Sequence, residues 1–149
     1  MINFEINNST KSKLNRKLIE KTVSVFALIA GIKKATFSLA FVGDKEMQKL
    51  NCSYRGKDRV TDVLSFAEEK DGFISQSDER NEKYLGEIII CLAQAKRQAR
   101  EYDWTLDKEI VRLLVHGLAH LIGYDHENVS LKKAKEMQLF EEKVMKKLA

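Results

Sequence analysis

The sequence predicts an α+β fold: a single small mixed β-sheet of about four strands packed with about five helices. Its 149 residues are about the length of one domain, and a hydrophobic content of 44% is sufficient for a packed core. Period-two and period-3.6 patterns follow in the order strand, helix, strand, helix, strand, strand and three helices. No proline and no linker-like composition interrupts this order, so we expect one domain spanning 1–149.

The first half of the chain alternates strands and helices. Its predicted elements are a strand over 2–6, a helix ending at 31, a strand over 36–42, a helix over 44–50 and a strand over 60–66. Ser9 or Thr10 is expected to cap the first helix, and Asp44 the second. The small and charged residues over 51–59 predict a loop.

The second half is mostly helical. The acidic stretch over 67–83 predicts a mobile surface loop or a poorly ordered hairpin. The consecutive isoleucines within 84–91 predict a strand buried on both faces. Helices are predicted over 92–102, from a cap at Thr105 to about 122, and over 130–148. The middle one is apolar nearly all round, which indicates a central buried helix. The inward face of the last comprises Leu131, Ala134, Met137, Phe140, Val144 and Leu148.

Charge and cysteine usage limit the setting in which the protein works. The net charge of +4 and the pI near 9.0 are compatible with a nucleic-acid partner without establishing one. No apolar run approaches the ~20 residues that span a bilayer, and residues 1–5 lack the features of a signal peptide. Cys52 and Cys91 form no metal-ligand pair. We therefore expect free thiols, a cytoplasmic protein and no membrane partner.

All three histidines lie within 116–126, and they predict a metal site on the central helix. His116 and His120 are four residues apart, which puts both imidazoles on one helix face. Gly123 can reverse the chain and return His126 toward them. Three nitrogen ligands with a free fourth position are typical of catalytic zinc, which lowers the pKa of bound water toward ~7. Asp125 or Glu127 could orient an imidazole.

One position of this motif departs from a metalloprotease. The spacing matches the metzincin pattern except at Gly117, where those proteases have the glutamate that serves as general base. Peptide hydrolysis needs such a proton shuttle, whereas a phosphodiester needs mainly charge stabilisation at its oxygens. A guanidinium supplies that by bonding two phosphate oxygens at once. Arg55 and Arg59 are the candidates, although the sequence alone brings neither to the metal.

The residues 116–126 resemble the signature of the YbeY family, usually H-G-x-x-H-L-x-G-Y-D-H. The resemblance extends to residues 51–58, 61–66 and 85–91 in the family's order. It implies a zinc-dependent, single-strand-specific endoribonuclease with one ion per chain, a position that other divalent metals can also fill. The implied partners are ribosomal RNA and the ribosomal small subunit, in 3′-end maturation of small-subunit RNA and in ribosome quality control.

The resemblance also assigns residues. His116, His120 and His126 correspond to the family's metal ligands, and Arg55 corresponds to its functionally important arginine, which ranks Arg55 above Arg59. Two alternatives stay open. One is a metalloprotease-like metallohydrolase, favoured by the metzincin spacing. The other is a non-catalytic ribosome-assembly factor with a structural metal, which the positive charge also fits.

Overall fold

The computed structural model describes residues 1–68, 82–124 and 130–149. The described residues form four strands and five helices in the predicted order, which confirms the α+β fold class. The elements are β1 (Ile2–Asn8), α1 (Arg16–Ala30), β2 (Ala35–Val42), α2 (Asp44–Arg55), β3 (Val63–Ala67), β4 (Lys83–Cys91), α3 (Leu92–Tyr102), α4 (Leu106–Leu121) and α5 (Leu131–Leu148). Most of the loop predicted over 67–83 lies outside the described residues.

The four strands form one mixed sheet in the order β1-β2-β4-β3. β2 pairs in parallel with β1 and with β4, and β3 pairs antiparallel to β4. Because β4 has a neighbour on each side, it is a central strand. Its isoleucines confirm the predicted burial on both faces, since Ile88 and Ile90 are 0% and Ile89 4% exposed.

The two faces of the sheet carry cores of different size. The larger core joins Phe37 and Phe41 of β2 and Ile88 of β4 to the buried faces of α1, α4 and α5. The smaller core lies on the opposite face, where Met47 of α2 packs with Ile89. Thus α4 is covered on several sides, and the prediction of a central buried helix is confirmed.

The predicted N-caps are right for α4 and wrong for α1. The Thr105 hydroxyl accepts a hydrogen bond from the Lys108 amide, which starts α4 as expected. In α1 the cap is Asn15, whose side chain accepts from the Leu18 amide. Thr10 instead donates its hydroxyl to the side chain of Asn8, because β1 continues to Asn8 and a polar turn follows it.

The second helix is longer than predicted, and this correction changes the position of a candidate site residue. Gly43 is the N-cap and Asp44 the first helical residue, so the cap predicted at Asp44 is wrong. The loop predicted over 51–59 is also wrong in its first half, since α2 continues to Arg55 and ends at Gly56, whose φ of 68° is left-handed. Arg55 therefore lies in the last turn of a helix.

Two smaller predictions also need correction. The third strand begins at Val63 rather than near 60. In α5, Met137 and Val144 are buried as predicted, whereas Leu131 is 91% exposed because it is the first helical residue. Within the part of the chain that the structure describes, no helix has both the length and the apolarity needed to cross a membrane.

Candidate active site

The two histidines of α4 meet at their Nε2 atoms. His116 and His120 follow one another by one turn, and their Nε2 atoms are 3.2 Å apart with the rings nearly perpendicular at 83°. Two nitrogens ~2.0–2.1 Å from one tetrahedral zinc ion would lie ~3.3 Å apart. This donor pair therefore fits two corners of a zinc site. His126, predicted as the third ligand, lies outside the described residues, as do Asp125 and Glu127.

A carboxylate from another helix contacts the far nitrogen of His116. Glu141 of α5 places Oε1 2.6 Å from His116 Nδ1, and both side chains are 25% exposed. An acceptor at Nδ1 favours the tautomer with its proton there, so that Nε2, the atom that faces His120, is the ring nitrogen with a lone pair. Glu141 is not predicted from the sequence, because nothing in the sequence marks it beyond its position in a helix expected to pack inward.

Gly117 of α4 packs against the side chain of Ile88 in β4. A Cβ atom built there would be 2.9 Å from Ile88 Cγ2 and 3.1 Å from Ile88 Cδ1. Real Cβ atoms essentially never approach other atoms this closely. The Ile88 side chain would therefore have to shift to admit a glutamate at this position. The glycine that stands where the protease has its general base thus also allows close packing of α4 on the sheet.

A cleft of about 730 Å³ brings the histidines and the candidate arginines together. His116 and His120 lie in the same cleft as Arg55 and Arg59, the two arginines whose distance from the histidines the sequence alone does not predict. Lys57 and Arg112 also line it, as does the edge strand β3. The cleft is thus rich in cations, as a site for a polyanion requires.

Arg55 is fixed at the edge of this cleft. Its Nη2 donates to the carbonyl of Ser65 at 2.9 Å, and its Cζ atom lies 5.4 Å from the centre of the Phe66 ring. Both contacts are to β3, so the guanidinium is held between the end of α2 and that strand. These two contacts restrict rotation of the Arg55 side chain and so help to orient the remaining N–H groups of its guanidinium.

Arg112 is a cleft residue that the sequence analysis did not identify. It precedes His116 by one turn, and its Nε and Nη2 donate to the two carboxylate oxygens of Glu109 at 2.8 and 2.7 Å. Glu109 is fully buried and also accepts from Gln98 and Trp104. Burial alone would raise the pKa of Glu109, but the hydrogen bonds from Arg112, Gln98 and Trp104 outweigh it and hold that pKa below its ordinary value.

Comparison with known proteins assigns this architecture to a family. The family model described as Endoribonuclease YbeY matches residues 1–149. An Aquifex aeolicus protein named endoribonuclease YbeY is 38% identical over 141 residues, which cover 93% of this chain and 87% of that protein. A Macrococcus caseolyticus protein of the same name is 45% identical over 114 residues, covering 75% and 73%.

The fold agrees with this assignment. The solution structure of a Thermotoga maritima protein has a TM-score of 0.64 to this chain at 29% identity, covering 99% of this chain and 89% of the other. The family match extends over every element described above, from β1 to α5. The chain therefore belongs to the endoribonuclease YbeY family.

Proposed function

We propose that this protein is a zinc-dependent, single-strand-specific endoribonuclease that hydrolyses phosphodiester bonds in ribosomal RNA. We assign it to 3′-end maturation of small-subunit RNA and to ribosome quality control in the cytoplasm. Family membership makes it an RNA hydrolase. The observation that carries the proposal further is that Arg55 lines the same cleft as the paired Nε2 atoms of His116 and His120.

The metal in this proposal is held by three histidines. His116 and His120 supply two nitrogens at a spacing that suits zinc, and His126 would supply the third. Bound there, zinc would provide Lewis-acid stabilisation of a phosphodiester and hydroxide at neutral pH. The binding pocket would also accept other divalent metals of similar ligand preference.

The side chains of the chain itself position the RNA. Arg55 presents its guanidinium to the phosphate, where bonds to two oxygens stabilise the charge that develops during hydrolysis. The Ser65 carbonyl fixes that guanidinium, so little ordering is left to occur on binding. Lys57, Arg59 and Arg112 continue the positive lining and would contact neighbouring phosphates. Glu141 holds the His116 ring with Nε2 toward the cleft.

The geometry does not favour the protease alternative. A glutamate at position 117 would have to displace the Ile88 side chain, because its Cβ atom alone would lie 2.9 Å from Ile88 Cγ2. The carboxylate nearest to the His116 ring is that of Glu141, and it is engaged by Nδ1 on the side away from Nε2. Among the described residues, one carboxylate lines the cleft, that of Asp62, and its two oxygens accept hydrogen bonds from the Val63 amide and from Gln98. Four cationic side chains that can bind phosphate line the same cleft.

The test is cleavage of a single-stranded RNA that spans the 3′ end of small-subunit ribosomal RNA, with the same RNA in a duplex as comparison. We expect the metal-loaded protein to cleave the single strand and not the duplex. His116→Ala should lower the rate by at least ~100-fold through loss of the metal. Arg55→Ala should lower it by ~100- to 1,000-fold through loss of charge stabilisation.

The control is Arg100→Ala, which removes an exposed arginine of α3 that does not line the cleft. This variant should cleave like the wild type. Cleavage that persists in His116→Ala would show a contaminating nuclease. Unimpaired binding to small-subunit particles by a histidine variant, with no cleavage by any form, would instead support the assembly-factor alternative.

A further inference from the structure

Two aromatic side chains lie directly beside the arginine of the cleft. Tyr54 is 66% exposed although its neighbour along α2, Arg55, lines the cleft. The Tyr54 and Phe66 ring centres are 5.3 Å apart with 60° between the ring planes, so Phe66 supports the tyrosine edgewise. Most of the Tyr54 side chain is therefore exposed to solvent, where its ring is available for stacking.

Phe66 links this tyrosine to the phosphate-binding group. The guanidinium of Arg55 lies 5.4 Å from the same Phe66 ring that contacts Tyr54. Ser65 and Ala67, on either side of Phe66 in β3, line the cleft, whereas Phe66 packs against the smaller core on the opposite face of the sheet. Arg55 therefore spans the rim of the cleft, and Tyr54 lies just outside it.

We propose that Tyr54 is a stacking platform for an unpaired nucleobase of the RNA whose backbone lies against Arg55. The inference rests on the proposed function. Single-stranded nucleic acid is bound by the combination found here, a cationic groove for the backbone beside an aromatic ring for a base. Bases in a duplex are stacked on one another and cannot lie on Tyr54. The residue would thus contribute to the preference for single strands.

Stacking and charge give different signatures in a binding experiment. The probe is a labelled single-stranded 2′-O-methyl RNA, which keeps bases and phosphates and whose integrity is checked after each titration. Tyr54→Ala should raise the Kd roughly 5- to 100-fold. It should leave the slope of log affinity against log salt unchanged, because no phosphate contact is lost. Arg55→Ala should reduce the size of that slope by about 0.7, the value for one phosphate contact of a single strand.

Further variants separate stacking from folding. Tyr54→Phe and Tyr54→Trp keep the ring and should bind like the wild type. Tyr54→Leu keeps an apolar contact with Phe66 without a π-face and should lose affinity as the alanine variant does. Leu28→Ala, which removes a 73% exposed apolar side chain from α1, is the matched control and should bind normally. Inorganic polyphosphate, which has no bases, should bind Tyr54→Ala and the wild type equally.

The results of these binding experiments test the stacking role of Tyr54 separately from the proposed endoribonuclease function. If the wild type binds the RNA and Tyr54→Ala binds it equally well, the stacking role is wrong while the endoribonuclease proposal stands. If Tyr54→Ala weakens the binding of RNA and of polyphosphate by the same factor, Tyr54 acts by maintaining the fold rather than by stacking on a base. If the wild-type protein binds no single-stranded RNA, both proposals fail together.

Discussion

Glu141 contacts Nδ1 of His116, whereas the other ring nitrogen, Nε2, faces His120. The 2.6 Å contact to Nδ1 orients the ring and increases its basicity, and partners of this kind are worth about 10- to 100-fold in metal affinity. We therefore expect Glu141→Ala to weaken zinc binding by that factor, measured by competition with a chromophoric chelator. Glu141→Gln should weaken zinc binding less than Glu141→Ala does, because its amide oxygen can still accept a hydrogen bond from Nδ1–H of His116.

The adjacent glutamate provides the control for that measurement. Glu142 is exposed, and its carboxylate accepts a helix-surface hydrogen bond from Gln138. Glu142→Ala should therefore bind zinc like the wild type. Equal affinity of Glu141→Ala and the wild type would show that the contact holds α5 against α4 without tuning the ligand.

A candidate site residue can be predicted from the sequence when it is part of a local spacing pattern. The spacing of His116 and His120 fixes one helix face, and the structure confirms that their Nε2 atoms meet. Arg55 required a family resemblance, since its distance from the histidines depends on how α2 and β3 pack. Glu141 and Arg112 have no such pattern, because their roles arise from partners on a separate helix or from a buried carboxylate.

At the scale of elements, the contact between α4 and β4 positions the site. Gly117 lets the helix approach Ile88, and an added Cβ would need the neighbouring side chain to give way. Alanine gains about 1 kcal/mol of helix propensity over glycine, whereas overpacking costs about 1–3 kcal/mol. We expect Gly117→Ala to lower the free energy of unfolding by up to about 2 kcal/mol, measured by urea denaturation.

The same contact predicts coupling between the two residues. Ile88→Ala alone should cost about 2–5 kcal/mol, because it leaves a cavity in the core. In the Gly117→Ala background that cost should fall by at least about 1 kcal/mol, since the new methyl group occupies part of the space. Additive losses in the double-mutant cycle would show that the helix shifts away from the sheet instead.

Element existence was easier to predict than element ends. Periodicity identified the strands and helices, because burial imposes it on every turn of a helix and every second residue of a strand. The ends depend on competition between nearby polar groups. Asn15 rather than Ser9 or Thr10 caps α1, and Gly56 ends α2 beyond the predicted loop. The positions of these helix ends depend on how far β1 and α2 extend, and no single residue in the sequence determines that extent.

For the whole molecule, one buried carboxylate joins several elements. Glu109 of α4 accepts from Gln98 of α3, from Trp104 in the turn between them, and from Arg112 at the cleft. Replacing Arg112 by methionine would leave this charge buried with fewer donors. We expect Arg112→Met to lower the free energy of unfolding by about 3 kcal/mol. This value is at the low end for buried ion pairs because 37% of the Arg112 side chain is exposed to water.

The pKa of Glu109 makes stability depend on pH in a definite direction. Its pKa lies below the ordinary value of 4.5 in the folded protein, although burial opposes this, because the donors around it favour the charged form. Between the folded and unfolded values the unfolded chain binds more protons, so stability rises with pH there. The contribution of Glu109 is complete above about pH 5.5 and is lost as the pH falls through 4.5 toward the folded value.

Glu109→Gln isolates this contribution. The variant should be less stable than the wild type near neutral pH, and the difference should shrink by up to roughly 1.4 kcal/mol per pH unit as the medium is acidified below about pH 5. Urea denaturation at a series of pH values between neutrality and about pH 3.5 measures it. Glu136→Gln, in an exposed part of α5, should follow the wild-type curve. A constant difference between Glu109→Gln and the wild type would show that the carboxylate stabilises the fold by its shape and hydrogen bonds, with no linkage to protonation.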